Sequence, residues 1–198
     1  VLYLTELIRE CVDKGGFACG IFLDLQKAFD TVEHSILLQK LSHYGVRGKA
    51  NSIFESYLQD RSQCVTISGK SSSTCEIKHG VPQGSVLGPL LFLVYINDLN
   101  LCIKHSKTIH FADDTSLLNC NRSLRKINKQ VNHDLRLLSE WLRANKIRLN
   151  ADKTEIILFR SSSKKPLDKS PNFRSMCQKL ISANKNAPVI PSKKALNF

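Results

Sequence analysis

Apolar positions recur along this chain in two rhythms, and the alternation between them marks out its elements. Leu4, Leu7, Ile8, Cys11 and Val12 fall at three- and four-residue steps, which predicts a helix over 2–13 stopped by Gly15-Gly16. Phe17 to Leu25 is then almost continuously apolar, the pattern of a strand in the middle of a sheet. A helix follows with Ile36, Leu37, Leu38, Leu41 and Tyr44 on one face, and a second over roughly 49–59 carries Ile53, Phe54, Tyr57 and Leu58. The runs Cys64–Ile67 and Thr74–Ile77 flank Gly69-Lys70-Ser71-Ser72 and predict a hairpin. An apolar helix runs from Val86 towards Asn97-Asp98. Thr108 to Phe111 and Ser116 to Leu118 predict a second hairpin, with Asp113 and Asp114 at its tip.

The clearest helical period comes next, in Leu124, Ile127, Val131, Leu135, Leu138, Trp141 and Leu142, and it assigns Trp141 to the core. Ile147-Arg148-Leu149 and Thr154–Phe159 predict two short final strands. From Arg160 the chain turns rich in Lys, Asn, Pro and Ser, which predicts a flexible basic tail over 161–198 after a folded domain of 1–160. No internal repeat is visible. Strands, hairpins and helices in this order predict an α+β layer, an antiparallel sheet with helices packed on one face.

Charge changes this picture less than its size suggests. The net charge is +12, but residues 160–198 hold nine Lys/Arg against one acid, while residues 1–159 hold twenty against sixteen. Most of the excess therefore belongs to the tail and says little about the partner of the folded part. The seven cysteines form no Cys-x-x-Cys pair, and their number is odd. Free thiols in a reducing, intracellular compartment are expected, with no zinc site and no disulfide-linked partner; nucleus and cytoplasm are not distinguished. The most apolar stretch, Val86 to Ile96, is too short for a bilayer, and no membrane partner is expected. The chain starts at Val with no secretory pattern, which suggests a piece of a longer protein.

The candidate chemistry lies in carboxylates. Asp24 leaves a buried strand, where an acid needs a partner, a hydrogen bond or a metal; capping the following segment is the alternative. Asp113 and Asp114 repel each other, and a divalent cation with a preference for hard oxygen ligands, Mg²⁺ or Mn²⁺, relieves that conflict. A solvated Asp-Asp turn is the competing reading. Asp30 is read as a helix cap. Gly80-Val81-Pro82-Gln83-Gly84-Ser85-Val86-Leu87-Gly88-Pro89 offers close backbone approach and helix-start N–H groups to an anion, or merely opens a core helix. A sheet that brings Asp24 beside Asp113 and Asp114 can hold two Mg²⁺ ions about 3.5–4 Å apart for phosphoryl transfer.

Phe22–Val32 (F-L-D-L-Q-K-A-F-D-T-V), Gly80–Phe92 and Phe111–Thr115 (F-A-D-D-T) resemble three successive polymerase motifs of the reverse transcriptase palm, in its non-LTR, LINE-type retrotransposon form. Trp141-Leu142, Asn145-Lys146, Leu149-Asn150 and Lys153-Thr154 resemble a fourth, and the likeness covers about residues 1–160. The resemblance implies a right-hand polymerase palm with fingers and thumb largely missing. It implies an RNA-directed DNA polymerase that uses two Mg²⁺ ions (Mn²⁺ as substitute), an RNA template, a DNA primer and dNTPs. It makes Asp24, Asp113 and Asp114 the metal-binding catalytic acids, with Leu25 lending a backbone carbonyl. Phe29 would lie under the incoming sugar, Gln83 and Gly84 would contact nucleotide and template, and Lys153 would approach the triphosphate. A non-catalytic retrotransposon-derived fragment that binds nucleic acid non-specifically is the alternative. A receiver-type α/β domain is disfavoured by the two internal hairpins.

Overall fold

In the computed structural model, residues 2–150 and 152–161 are described. The chain divides into two compact units, residues 1–26 with 99–198 and residues 27–98. The expected tail over 161–198 lies, beyond Ser161, outside the described residues.

The first unit is built on a four-stranded antiparallel sheet. Helix α1 (Leu2–Asp13) ends where Gly15 takes a φ of +72° and the Gly16 N–H returns to the Cys11 carbonyl at 2.9 Å. A left-handed residue followed by this long backward bond is the glycine-rich way to finish a helix. Strand β1 (Phe17–Leu23) then runs through the middle of the sheet, paired with β7 (Asp114–Asn121) on one edge and β8 (Glu155–Phe159) on the other. Strand β6 (Lys107–Phe111) completes the order β6-β7-β1-β8. This central place explains why β1 is apolar throughout: it has no edge and little open surface.

The two faces of the sheet differ. Cys19, Ile21 and Leu23 stand opposite Asn119, Leu117 and Thr115, and all six are buried. On the other face Ala18, Gly20 and Leu118 are buried, while Phe22 and Ser116, nearer the end of β1, are half-buried and Cys120 is exposed. Helix α1 packs along β1 and β7, and the long helix α6 (Leu124–Ala144) packs along β7 and the short α5 (Leu99–Cys102). Helix α6 buries Ile127, Val131, Leu135, Leu138, Trp141 and Leu142, which is the face its sequence period predicts. Ser123 caps its start by accepting the Lys126 N–H, and the Ile147 N–H on the Leu142 carbonyl closes its end. Residues 147–149 do not form the expected strand; only Leu149 bridges Leu25.

The second unit contains α2 (His34–His43), α3 (Lys49–Leu58) and α4 (Leu87–Ile96). Its core gathers Leu37, Leu41, Leu58, Leu91, Phe92, Tyr95 and Ile96. Lys40 reaches in to the Tyr95 carbonyl at 2.5 Å and Asp98 at 2.6 Å. Burial lowers its pKa, and the Asp98 carboxylate opposes that shift. The expected hairpin over 64–77 exists only as two exposed two-residue ladders. One pairs β2 (Ser62–Gln63) with β5 (Cys75–Glu76), and the other pairs β3 (Thr66–Ile67) with β4 (Lys70–Ser71). With no apolar face to bury, these strands stay short.

Candidate active site

Asp24 follows the last residue of β1, and Asp114 opens β7. The register pairs Leu23 with Thr115 and Phe22 with Ser116, so one further step sets Asp24 opposite Asp114. Facing positions on adjacent strands share a face about 4.5–5.5 Å apart at Cα. Counting by twos from Phe22 and Ser116, both carboxylates belong to the face of the sheet that carries those two half-buried residues, opposite the face of Leu23 and Thr115. Asp113 lies in the two-residue turn joining Phe111 to Asp114, where Ala112 has a φ of +53° and Asp113 does not share the positive sign. A positive φ at the first central residue alone has the sign pattern of a II′ hairpin turn, a place where glycine is the usual occupant. Asp24 is half-buried, and Asp113 and Asp114 are exposed. Three carboxylates thus reach solvent at one end of one sheet, and oxygen donors of this kind fit a hard divalent cation.

The backbone of Asp24 is held by the segment before β8. The Asn150 N–H donates to the Asp24 carbonyl at 2.8 Å, and the Gln26 N–H donates to the Arg148 carbonyl at 2.8 Å. The Asp24 N–H reaches Thr154 Oγ1 at 3.5 Å, and that hydroxyl donates to the Asn150 carbonyl at 2.8 Å. Residues 24 and 26 therefore turn their backbone groups to the β8 side. Leu25, between them and bridged to Leu149, directs its own carbonyl to the β7 edge, the side of Asp113 and Asp114. Lys153, exposed in the turn before Thr154 and β8, stands at the same end of the sheet. Five of the residues singled out from sequence, Asp24, Leu25, Asp113, Asp114 and Lys153, thus belong to one unit and one sheet end.

Phe29, Gln83 and Gly84 belong to the second unit, where two distant sequence segments lock together. Phe29 sits in a 3-10 turn over Ala28–Asp30, its ring 4.7 Å from that of Phe92. The Val81 N–H donates to the Phe29 carbonyl and the Gly80 N–H to the Val32 carbonyl, both at 2.8 Å. His34 Nε2 lies 2.7 Å from the Gly80 carbonyl. Gly80 has a φ of +90°, and a Cβ there would stand 2.9 Å from Asp30 Cα. No other residue type fits that contact without displacing the backbone. Gln83 and Gly84 are exposed beyond this junction. Ser85 Oγ already accepts the Gly88 N–H at 3.0 Å, so one of the helix-start donors expected to face an anion is satisfied internally.

Several residues with evident jobs escaped the sequence reading. Asp30 does not cap α2; that position is Glu33, without a side-chain cap, and Asp30 Oδ1 accepts from Gln83 Nε2 at 2.9 Å. Thr154 and Asn150 were visible only as parts of a motif, because their work is to hold a backbone 130 residues away in sequence. His110 bonds Thr115 through Nδ1 and Asn100 through Nε2, and burial lowers its pKa. Asp134, fully buried, accepts the N–H groups of Lys104, His105 and Ser106. His105, His133 and Asp134 bring possible ligand atoms within 4.8 Å of one another. Both Asp134 oxygens are already engaged by these backbone donors, so the cluster is a capped turn leading into β6. The described cysteines are free thiols, and although part of Cys120 meets solvent, desolvation of its thiol, with Cys11 and Cys19 beside it, pushes it up to about 12, which leaves it a poor nucleophile.

The family of the reverse transcriptase (RNA-dependent DNA polymerase) matches residues 3–188. The RNA-directed DNA polymerase from mobile element jockey of Drosophila melanogaster is 31% identical over 163 residues, which are 79% of this chain and 18% of that protein. The probable RNA-directed DNA polymerase from transposon X-element of the same fly is 30% identical over 168 residues, or 82% and 18%. This chain therefore spans about a fifth of the length of such relatives. Among solved structures, telomerase from Candida tropicalis in complex with a fragment of telomeric RNA superposes with a TM-score of 0.58 at 13% identity, covering 84% of this chain and 30% of that one. Telomerase from Candida albicans gives 0.58 at 15% identity, covering 83% and 32%. These likenesses establish a polymerase palm-like fold. The chain belongs to the reverse transcriptase family, and its relatives are the polymerases of non-LTR retrotransposons.

Proposed function

We propose that this chain carries the metal-binding acids of an RNA-directed DNA polymerase, which adds dNTPs to the 3′-hydroxyl of a DNA primer on an RNA template. The observation that carries this reading is the β1–β7 register, whose last pair, Leu23 with Thr115, is adjoined by Asp24 on one strand and Asp114 on the other, with Asp113 in the turn between β6 and β7. Asp24, Asp113 and Asp114 would hold two Mg²⁺ ions, for which Mn²⁺ could substitute, and the Leu25 carbonyl, turned to the same strand edge, would add a neutral oxygen. The chemistry such ions would supply there is neutralisation of charge on the attacking and leaving oxygens of an in-line displacement. The protein's own residues position the reactants, which in phosphoryl transfer is most of the catalytic work. Phe29, fixed against Phe92, supports the sugar and disfavours a 2′-hydroxyl. Gln83 and the Gly84 backbone contact nucleotide and template, and Lys153 delivers a proton near the triphosphate.

Incorporation of dNTPs on a primed RNA template tests this reading. Asp113→Ala removes a ligand from a site worth several kcal/mol, so incorporation should fall by about three orders of magnitude, with unfolding midpoints little changed. Extension that survives Asp113→Ala unchanged overturns the reading. The charge concentrated in residues 160–198 supports a second one, a non-catalytic nucleic-acid-binding fragment. It predicts salt-dependent RNA binding without any Asp113-dependent synthesis.

A further inference from the structure

We infer that Asp30 is a positioning residue for Gln83: it fixes which way the Gln83 amide faces before a nucleotide arrives. The inference rests on the role given to Gln83 in the proposed function and adds a residue that role does not include. Gln83 Nε2 donates to Asp30 Oδ1 at 2.9 Å. Two exposed side chains that merely meet gain little from such a bond, because holding them in one geometry costs rotamer freedom. Here the backbones beneath them are already clamped. The Val81 N–H is on the Phe29 carbonyl, the Gly80 N–H is on the Val32 carbonyl, and Gly80 lies flush against the Asp30 backbone. The two side chains therefore start from a fixed separation, and one charge-assisted bond suffices to select a rotamer.

The choice of a carboxylate is informative. A glutamine amide carries two donors on one side and an acceptor on the other, and a surface amide flips between them freely. A carboxylate can only accept. Asp30 consequently admits the NH₂ of Gln83 and rejects its oxygen, so Oε1 and the second N–H are presented away from the 3-10 turn in one defined orientation. Asparagine at position 30 is nearly the same size but accepts or donates equally well. The bond would survive in Asp30→Asn while the orientation is lost.

That difference supplies the test, made on the full chain with the primed RNA template and with ¹⁵N-labelled protein. Asp30→Asn should raise the KM for dNTP roughly three- to tenfold, the range of one oriented hydrogen bond, with kcat and the unfolding midpoint little altered. Asp30→Ala combined with Gln83→Ala should be no worse than Gln83→Ala alone, since Asp30 acts through Gln83. Asp30→Glu, which restores an acceptor-only partner, should recover part of the loss. In the spectra, the Gln83 side-chain NH₂ pair should move in Asp30→Asn while backbone resonances stay in place. An unmoved NH₂ pair overturns the inference whether or not the chain is active. An unchanged KM, or additive losses in the double variant, overturns it in an active chain. A displaced NH₂ pair in a chain without Asp113-dependent synthesis leaves the positioning intact and refutes the polymerase reading.

Discussion

At the residue scale, the acids depend on neighbours that are not acids. Thr154 is buried, and its hydroxyl joins the Asn150 carbonyl to the Asp24 N–H. Thr154→Val keeps the shape and removes both bonds, which should cost about 1 kcal/mol in urea unfolding. On the proposed function, incorporation should fall further than stability, by up to about 10²-fold, because a small displacement of Asp24 would degrade alignment. His110 makes a second residue-scale prediction. Its lowered pKa means that the unfolded chain binds a proton that the folded chain refuses, in the window between the lowered value and the ordinary one near 6.5. Stability from this group is therefore complete above pH 6.5 and is lost as the pH falls through that window. Urea midpoints measured at pH 7.5 and 5.5 should drop more for the native chain than for His110→Gln.

At the scale of elements, the hairpin of β6 and β7 must leave helix α5 at a defined point for its tip to carry Asp113. Asp134 on α6 sets that point by gathering the N–H groups of Lys104, His105 and Ser106 just before β6 begins. Asp134→Ala leaves three backbone donors without a partner and should destabilise by about 3 kcal/mol or more. Asp134→Asn, which keeps one acceptor oxygen, should lose clearly less. Amide exchange at Ser106 should accelerate in both variants, which ties the loss to this turn and not to α6 at large.

At the scale of the whole molecule, the fold separates into units that each collect one class of candidate group. Residues 1–26 and 99–198 contain the acids and Lys153, while residues 27–98 contain Phe29, Gln83 and Gly84. The positive charge follows a different division, since residues 160–198 hold most of the excess. Ending the chain at Ser161 should therefore lower the salt slope of single-stranded RNA binding, by about 0.7 for each phosphate contact removed. If the slope does not change, the residues up to Ser161 and not those after it make the contacts. No helix among the described residues is long and apolar enough to cross a membrane.

Periodicity and local chemistry were sufficient for α1, β1, α6 and the β6–β7 hairpin, because each covers or half-covers one patterned face or runs through the middle of the sheet. The acidic positions were equally legible: Asp24 ends an apolar run, and Asp113-Asp114 occupy a turn between two others. Where burial was slight, pattern misled, as in the short ladders over 62–76 and in residues 147–149. The partnerships were out of reach of any local pattern. Register decided that Asp24 and Asp114 adjoin the last β1–β7 pair on the face of Phe22 and Ser116, packing against Gly80 decided that Asp30 holds Gln83, and the chain's return past Leu149 decided that Thr154 steadies Asp24. A sequence determines what each segment can bury over a few turns or a strand. Which groups then meet across 53, 90 or 130 residues depends on how those buried faces close on one another, and that is a property of the folded chain alone.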